Sequence, residues 1–342
     1  MTHRQVTLAE VAKHAKVSLA TASRVLNGST RQVSAELRDR VLATARELGY
    51  LPNASAQALA RNTSVLVGLV VHDIADPYFS SIAAGVTRVA EEAGLIVVLG
   101  TTSRDPEREL TLLSTMRAHR ARAVVLVGTR TTDATATQKL SAEIEAFQSQ
   151  GGRVACVSQA HLPADTVVPA NTEGARELAL GLAGQGHREF AVLAGPERLL
   201  SARDRLEGFV AGLAEHGIGL AGHNIVHGAF TRDGGYAAMH ELLDRETGAT
   251  CVFAVNDVMA VGAMAAVRER GLRTPEDVAV AGFDDIPTLS DLVPPLTTVR
   301  LPLEEMGERA ARLALEGEAP STPRTVGVGA EVVLRESTVL AR

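Results

Sequence analysis

The chain of 342 residues has no tryptophan, two cysteines, three tyrosines and seven phenylalanines, so aromatics make up only 3% of it. So little cysteine excludes a disulfide-stapled secreted scaffold. Cys156 and Cys251 each stand alone in an apolar run, where a small buried thiol in a reducing compartment is expected. No stretch of 18 uncharged apolar residues occurs, which argues against a membrane span. The start Met1-Thr2-His3-Arg4-Gln5 also lacks the basic-then-apolar layout of a secretion signal, so a cytoplasmic protein is expected. Missing too are the strings G-x-x-x-x-G-K-[ST], H-E-x-x-H and G-x-S-x-G, and the ten histidines show no ligand spacing. No cofactor, metal or catalytic nucleophile is therefore expected. Gly217-Ile-Gly-Leu-Ala-Gly222 matches a dinucleotide fingerprint as a string, but a helical stretch precedes it and an apolar strand-like tract follows. That order is the reverse of what pyrophosphate binding needs, so a helix-to-strand connection is expected.

What is present is 46% hydrophobic residues with 22% charged ones, enough for two or three packed domains and too apolar for disorder. Charge is unevenly placed. Residues 1–62 hold nine Lys/Arg against four Asp/Glu, while the remainder holds 25 against 36. A basic head on an acidic body suits a head that alone meets a polyanion.

In the head, Thr7-Leu-Ala-Glu10 is a capping box, and Leu8, Val11, Ala12 and Ala15 follow on one helical face. Ser18 can cap a second helix about three residues later, the spacing of a helix-turn-helix. Ala22, Val25 and Leu26 then face inward and Ala20, Arg24 and Asn27 outward. Gly28 ends that helix, Ser34 can cap a third, and Leu37, Val41, Leu42, Ala45 and Leu48 give it a buried stripe before Gly49-Tyr50-Leu51-Pro52. The stretch 53–60 is composed for a helix but is too short to be stable alone, so conditional folding is expected.

From Ser64 the texture changes. Short apolar runs at 65–71, 96–100, 123–127 and 154–157, and again at 190–193, 224–227, 251–255 and 278–281, have the form of parallel strands buried on both faces, with helical segments between them. Two doubly wound α/β halves are expected, with ligands at the carboxyl ends of the strands in a shared cleft.

Three tracts carry a resemblance. Val6 to Asn27 closely resembles the DNA-binding head of the lactose-repressor (LacI/GalR) family, and Tyr50 to Ala60 is similar to that family's hinge helix. Gly195-Pro-Glu-Arg198, Ser201-Ala-Arg-Asp-Arg-Leu-Glu-Gly-Phe209, Asn256-Asp-Val-Met-Ala-Val-Gly262, Ala281-Gly-Phe-Asp-Asp285 and Pro294-Pro-Leu-Thr-Thr298 resemble signatures of its effector-binding core. That core is similar to sugar-binding periplasmic proteins. The resemblance implies an all-α helix-turn-helix head with a hinge helix, joined to an α/β core of two doubly wound parallel-sheet halves. The implied division is a head at 1–50, a hinge and linker at 51–63 and a core at 64–342. Within the core, the first half takes 64–161 plus 292–322 and the second takes 162–291 plus 323–342.

The function implied is that of a sequence-specific transcriptional repressor, a homodimer on a near-palindromic double-stranded operator, controlled by a small effector, a sugar or sugar derivative. By correspondence Leu19, Ala20 and Arg24 face bases, Arg24 being suited to guanine, and Ser18, Thr21, Ser23 and Asn27 serve phosphates. Leu59 is the minor-groove wedge unless it is simply the core leucine of a short helix, and Thr7, Asn53 and Ala56 complete the DNA-contacting set. In the core, Arg203, Asn256 and Asp284 match positions that hold hydroxyl-rich effectors. Asp284 could instead cap a loop backbone. Phe79 and Phe230 stand where relatives place aromatics against the ligand, though either could be core.

Two departures from the family pattern put contacts from their loops in doubt: Val157-Ser-Gln159 lacks an acidic residue followed by Arg, and Val168-Pro-Ala-Asn171 lacks an Asp before Asn. No heptad tail follows Thr338, so tetramerisation is not indicated. A plain solute-binding protein is opposed by the missing signal and the basic head, and a sugar- or nucleoside-processing enzyme by the missing nucleophile and metal constellation.

Overall fold

The computed structural model describes residues 6–27, 33–50, 64–317 and 322–340. The chain forms two compact units, 1–65 and 66–342. In the first, α1 (Leu8–His14) is followed by α2 (Leu19–Asn27) and α3 (Ala35–Glu47). The capping box forms as expected: the Thr7 hydroxyl accepts from Glu10 N–H at 3.3 Å, and Thr7 N–H donates to Glu10 Oε2 at 2.7 Å. Lys16 turns the chain at φ 52°, and Ser18 Oγ accepts from Thr21 N–H at 3.0 Å, opening α2. Ser34 sits at the N-cap of α3 without a side-chain bond. Val11, Ala12, Ala15, Ala22, Val41 and Ala45 close a small core over which Val25, Leu26 and Leu48 pack. The expected hinge residues Asn53, Ala56 and Leu59 lie outside the described residues.

In the second unit, β1 (Leu66–Val71), α4 (Pro77–Glu92), β2 (Ile96–Thr101), α5 (Pro106–Ala118), β3 (Ala123–Val127), α6 (Ala134–Ser149), β4 (Arg153–Val157) and β5 (Asp165–Pro169) alternate. They build a parallel sheet of order β11-β5-β4-β3-β1-β2, in which β11 is Thr325–Val328. The other half runs α7 (Asn171–Gly184), β6 (Phe190–Ala194), α8 (Leu200–Glu215), β7 (Ile225–His227), α9 (Arg232–Asp244), β8 (Cys251–Ala254), α10 (Asp257–Glu269) and β9 (Ala279–Ala281). Its parallel sheet has the order β7-β6-β8-β9. Afterwards β10 (Thr298–Arg300) pairs antiparallel with β12 (Glu331–Val333), and α11 (Leu303–Leu315) returns to pack on α4 and β4. The Gly217–Gly222 tract connects α8 to β7, as the order of its flanks predicted.

The division of the core differs from expectation. Residues 165–169 and 325–328, assigned to the second half, hydrogen bond into the first sheet, so the halves change over nearer 170 and 329. The sequence hides this because an ion pair replaces the apolar signal. Asp165 at the head of β5 accepts from Arg324 N–H at 2.7 Å and Arg324 Nη2 at 2.6 Å, which pins β11 alongside. A second difference is β2: it was expected to be buried on both faces, but as the edge of its sheet it leaves Ile96, Val98 and Leu99 exposed.

Candidate functional site

In the head, the outward surface of α2 is the feature to account for. Leu19 is 54% exposed, Ala20 and Arg24 are exposed, and Thr21 and Ser23 are half-buried, while Ala22 is fully buried. An exposed leucine beside a small residue and an arginine, on a helix whose opposite face is core, presents an apolar and cationic helix face of the kind a major groove can admit. Ser18 and Thr21 share a hydroxyl hydrogen bond of 2.8 Å at the start of the helix. Thr7 caps α1.

In the core, a cleft opens at the carboxyl ends of both sheets, as the doubly wound pattern predicted. Its walls include His72 after β1, Arg104 after β2, Gly128 and Thr129 after β3, Ser158 and Gln159 after β4 and Asn171 after β5; from the other half come Ser201, Arg205, Phe230, Asn256 and Asp284. The space enclosed is about 520 Å³ including its open mouth.

Arg205 organises the floor. From one turn inside α8, its Nε donates to Asn171 Oδ1 at 2.9 Å, Nη1 to Val255 O at 2.7 Å and Nη2 to Asp284 Oδ1 at 2.8 Å, with its guanidinium 3.9 Å from the Phe283 ring centre. Asp284 has φ 122°, a conformation costly for any residue with a Cβ. Its N–H to Val299 O, at 2.8 Å, helps hold that geometry and aim the carboxyl at Arg205. Burial pushes the Asp284 carboxyl up to about 8, against the pull of Arg205. Asn256 caps α10, its Oδ1 accepting Met259 N–H at 3.0 Å, which leaves its amide nitrogen toward the cleft.

The two halves also touch at the cleft rim. Ser201 N–H donates to Thr129 Oγ1 at 2.9 Å, Leu200 N–H to Arg130 O at 2.9 Å and Gln159 Nε2 to Asp204 Oδ2 at 3.2 Å. Arg130 is fixed by a buried fork on Glu109, at 2.8 and 3.0 Å.

Phe79, Phe230, Asn256 and Asp284 all line the cleft. Arg203 does not. Its side chain is 50% exposed and lies 3.6 Å from Glu207, so the arginine that enters the cleft is Arg205, two residues on. Helical periodicity carries the reason: Ala202, Arg205, Phe209 and Leu213 fall on the buried stripe of α8, and an arginine in such a stripe must be paired inside. The loops whose contacts were in doubt also reach the cleft, through Gln159 and Asn171. Arg104 and His72 carry no sequence signal, because nothing around them marks a loop that turns inward, and Tyr78 sits in the first turn of α4, where no pattern tells a ligand-facing ring from a packed one.

Asp257, beneath Asn256, is fully buried and accepts from Thr298 Oγ1 at 2.6 Å and Ile286 N–H at 3.0 Å; burial still pushes its carboxyl up to about 7. The folded core therefore binds this proton more tightly than the unfolded chain. Stability should fall as pH rises from about 4 to about 7, by roughly 1 kcal/mol per pH unit, and level off for this group above that. Urea melts of the core from pH 4.5 to 7.5 should show the decline, to which the raised Asp284 carboxyl adds in the same direction, and Asp257→Asn should make it shallower without removing it. An equal slope in the variant would mean that the carboxyl is already ionised in the fold.

Comparisons with known proteins agree with this geometry. Residues 7–53 match the family profile described as bacterial regulatory proteins, lacI family, and residues 180–338 match a periplasmic binding protein-like domain. The transcriptional regulator GalS of Salmonella typhimurium is 36% identical over 323 residues, covering 92% of this chain and 90% of GalS. The repressor CytR of Escherichia coli is 34% identical, covering 97% and 96%. Among solved structures, the lac repressor dimer bound to operator and an anti-inducer has 29% identity and a TM-score of 0.81, covering 99% of this chain and all of that one. A complex of the regulator CelR with cellobiose has 32% identity and a TM-score of 0.70, covering 97% and all of that chain. Head, cleft and near full-length relatives point one way: this chain belongs to the lacI family of bacterial transcriptional regulators.

Proposed function

We propose that this regulator is a cytoplasmic repressor that holds a near-palindromic operator as a homodimer and changes its grip when a sugar or sugar derivative enters the cleft. The observation that carries the effector reading is the Arg205–Asp284–Asn171 network, a fixed set of donors and acceptors in a cleft that Asn256, Phe230 and Phe79 also line. Such a set matches vicinal hydroxyls and an apolar ring face. That the relative CelR was solved with cellobiose supports the carbohydrate class. The exposed apolar edge of β2 supports self-association, since unpaired edges of this kind are usually covered.

On DNA, α2 lies in the major groove with Leu19, Ala20 and Arg24 on bases and Ser18, Thr21, Ser23 and Asn27 on phosphates. Thr7 adds a contact from α1, and the hinge residues Asn53, Ala56 and Leu59 enter the central minor groove. An effector that favours one relative setting of the two core halves changes the hinge, and operator binding must in turn change effector affinity. No catalytic role is proposed for the cleft, in keeping with relatives that are transcriptional regulators.

Selection of operator sites from random DNA, followed by anisotropy titration with and without a sugar panel, tests the reading. Arg24→Ala should weaken operator binding by about 1–3 kcal/mol and relax preference at one base per half-site. Equal losses on operator and random DNA would make Arg24 a phosphate contact. If no sugar that binds the protein alters operator affinity, the effector reading fails.

A further inference from the structure

Three arginines stand in or beside the cleft, and in two of them every guanidinium nitrogen already donates to the protein. Arg205 is bonded to Asn171, Val255 and Asp284. Arg130 is forked on Glu109, and its remaining donors reach Ser158 Oγ at 3.3 Å and Gly128 O at 3.4 Å. Arg104 is different. Among the described residues its guanidinium has no hydrogen bond and no ion pair, and its Nε is sealed from solvent without a partner. Its charged end lies 5.8 Å from the Phe230 ring centre, across the cleft from its own half.

The backbone is built to put it there. Ser103 and Arg104 are both left-handed, at φ 52° and 61°, a pair of conformations that side-chain-bearing residues avoid. They are held by Ser103 N–H to His72 O at 2.9 Å, Arg104 N–H to Thr102 Oγ1 at 3.1 Å and Asp105 N–H to Thr102 O at 3.0 Å. The nearby carboxylates are turned to other work. Asp76 accepts Tyr78 N–H at 3.0 Å and Asp73 accepts Ala75 N–H at 3.0 Å, so both act on Arg104 only through space. His72, behind it, is kept uncharged, since burial holds its ring down to about 4. Buried donors left without acceptors are costly, and a guanidinium fork fits two oxygens of one anion.

From this, and resting on the effector reading above, we infer that Arg104 reads an oxyanion on the effector, making the preferred ligand an acidic sugar, a sugar phosphate or a uronate, with its ring against Phe230. Arg205, Asp284 and Asn256 hold hydroxyls at the other end of the cleft, and Arg104 selects the charged substituent.

Inorganic phosphate is the first probe, used on the full chain against chloride at equal ionic strength. Phosphate should raise the melting temperature of the core transition in the parent and in a variant of the exposed Arg122, Arg122→Gln, and should fail to do so in Arg104→Gln, with Arg104→Lys between. Calorimetry with glucose, glucose 6-phosphate and glucuronate then separates the two anions. At least one acid should bind about tenfold tighter than glucose, and Arg104→Gln should erase that preference without weakening glucose. A phosphate response that is absent from the parent, or equal in parent and Arg104→Gln, overturns the inference, as does glucose binding as tightly as both acids. These outcomes leave the sugar-effector reading standing, because that falls only with the sugar panel on the operator.

Discussion

Arg205→Ala should be the most damaging single change in the cleft, lowering core stability by about 3–5 kcal/mol and abolishing the effector response together. The reason is what the side chain leaves behind. Asp284 stays buried in a positive-φ turn with no donor for Oδ1, and Asn171 Oδ1 and Val255 O each lose their arginine donor. Asp284→Asn should cost less, since an amide can still accept at one atom. The Arg205→Ala, Asp284→Ala double variant should be less unstable than the sum of its singles, because removing both partners leaves neither one stranded. Operator binding by the separately packed head should survive in any variant whose core still melts cooperatively. Urea melts and calorimetry with whichever sugar binds the parent provide the check. If Arg205→Ala melts like the parent and still binds that sugar, the network is neither the keystone of the cleft nor the ligand's anchor.

The same arginine shows how far the sequence could be read. Periodic apolar runs gave the order of strands and helices and the edge at which ligands gather, because strand burial and parallel pairing leave a direct hydrophobic imprint. They missed β5 and β11, whose pairing rests on Asp165 and Arg324, and the exposed face of β2, whose position at the edge is a property of the whole sheet. In the cleft, Phe79, Phe230, Asn256 and Asp284 were legible through resemblance. Resemblance points to Arg203 where Arg205 enters, although two positions, about 200° of helical phase, separate the exposed arginine from the buried one. Arg104 had no local signal: its direction depends on two left-handed residues and a threonine hydroxyl, none of which follows from residue type alone.

Gly262→Val should disturb the cleft without touching it. Gly262 lies inside α10, where a Cβ would stand 1.9 Å from Arg232 O and 2.8 Å from Tyr236 N on α9, so the two helices meet backbone to backbone. No side-chain rotation relieves a clash with a carbonyl. The helices must separate, at a cost of about 3 kcal/mol or more, in the upper range of overpacking. The separation has a functional direction, because α9 begins just after Phe230 and α10 begins at its cap Asn256. Moving one helix off the other pulls the aromatic wall away from the amide that faces the same ligand. Sugar affinity should therefore fall along with stability, whereas Gly219→Val, on the connection before β7 with no atom within 4 Å of its Cβ, should leave both nearly unchanged. Thermal melts paired with sugar titration distinguish the outcomes. A Gly262→Val protein that is destabilised yet binds sugar like the parent would mean that α9 and α10 can part without moving Phe230 relative to Asn256, and the packing of this helix pair would then bear on folding alone.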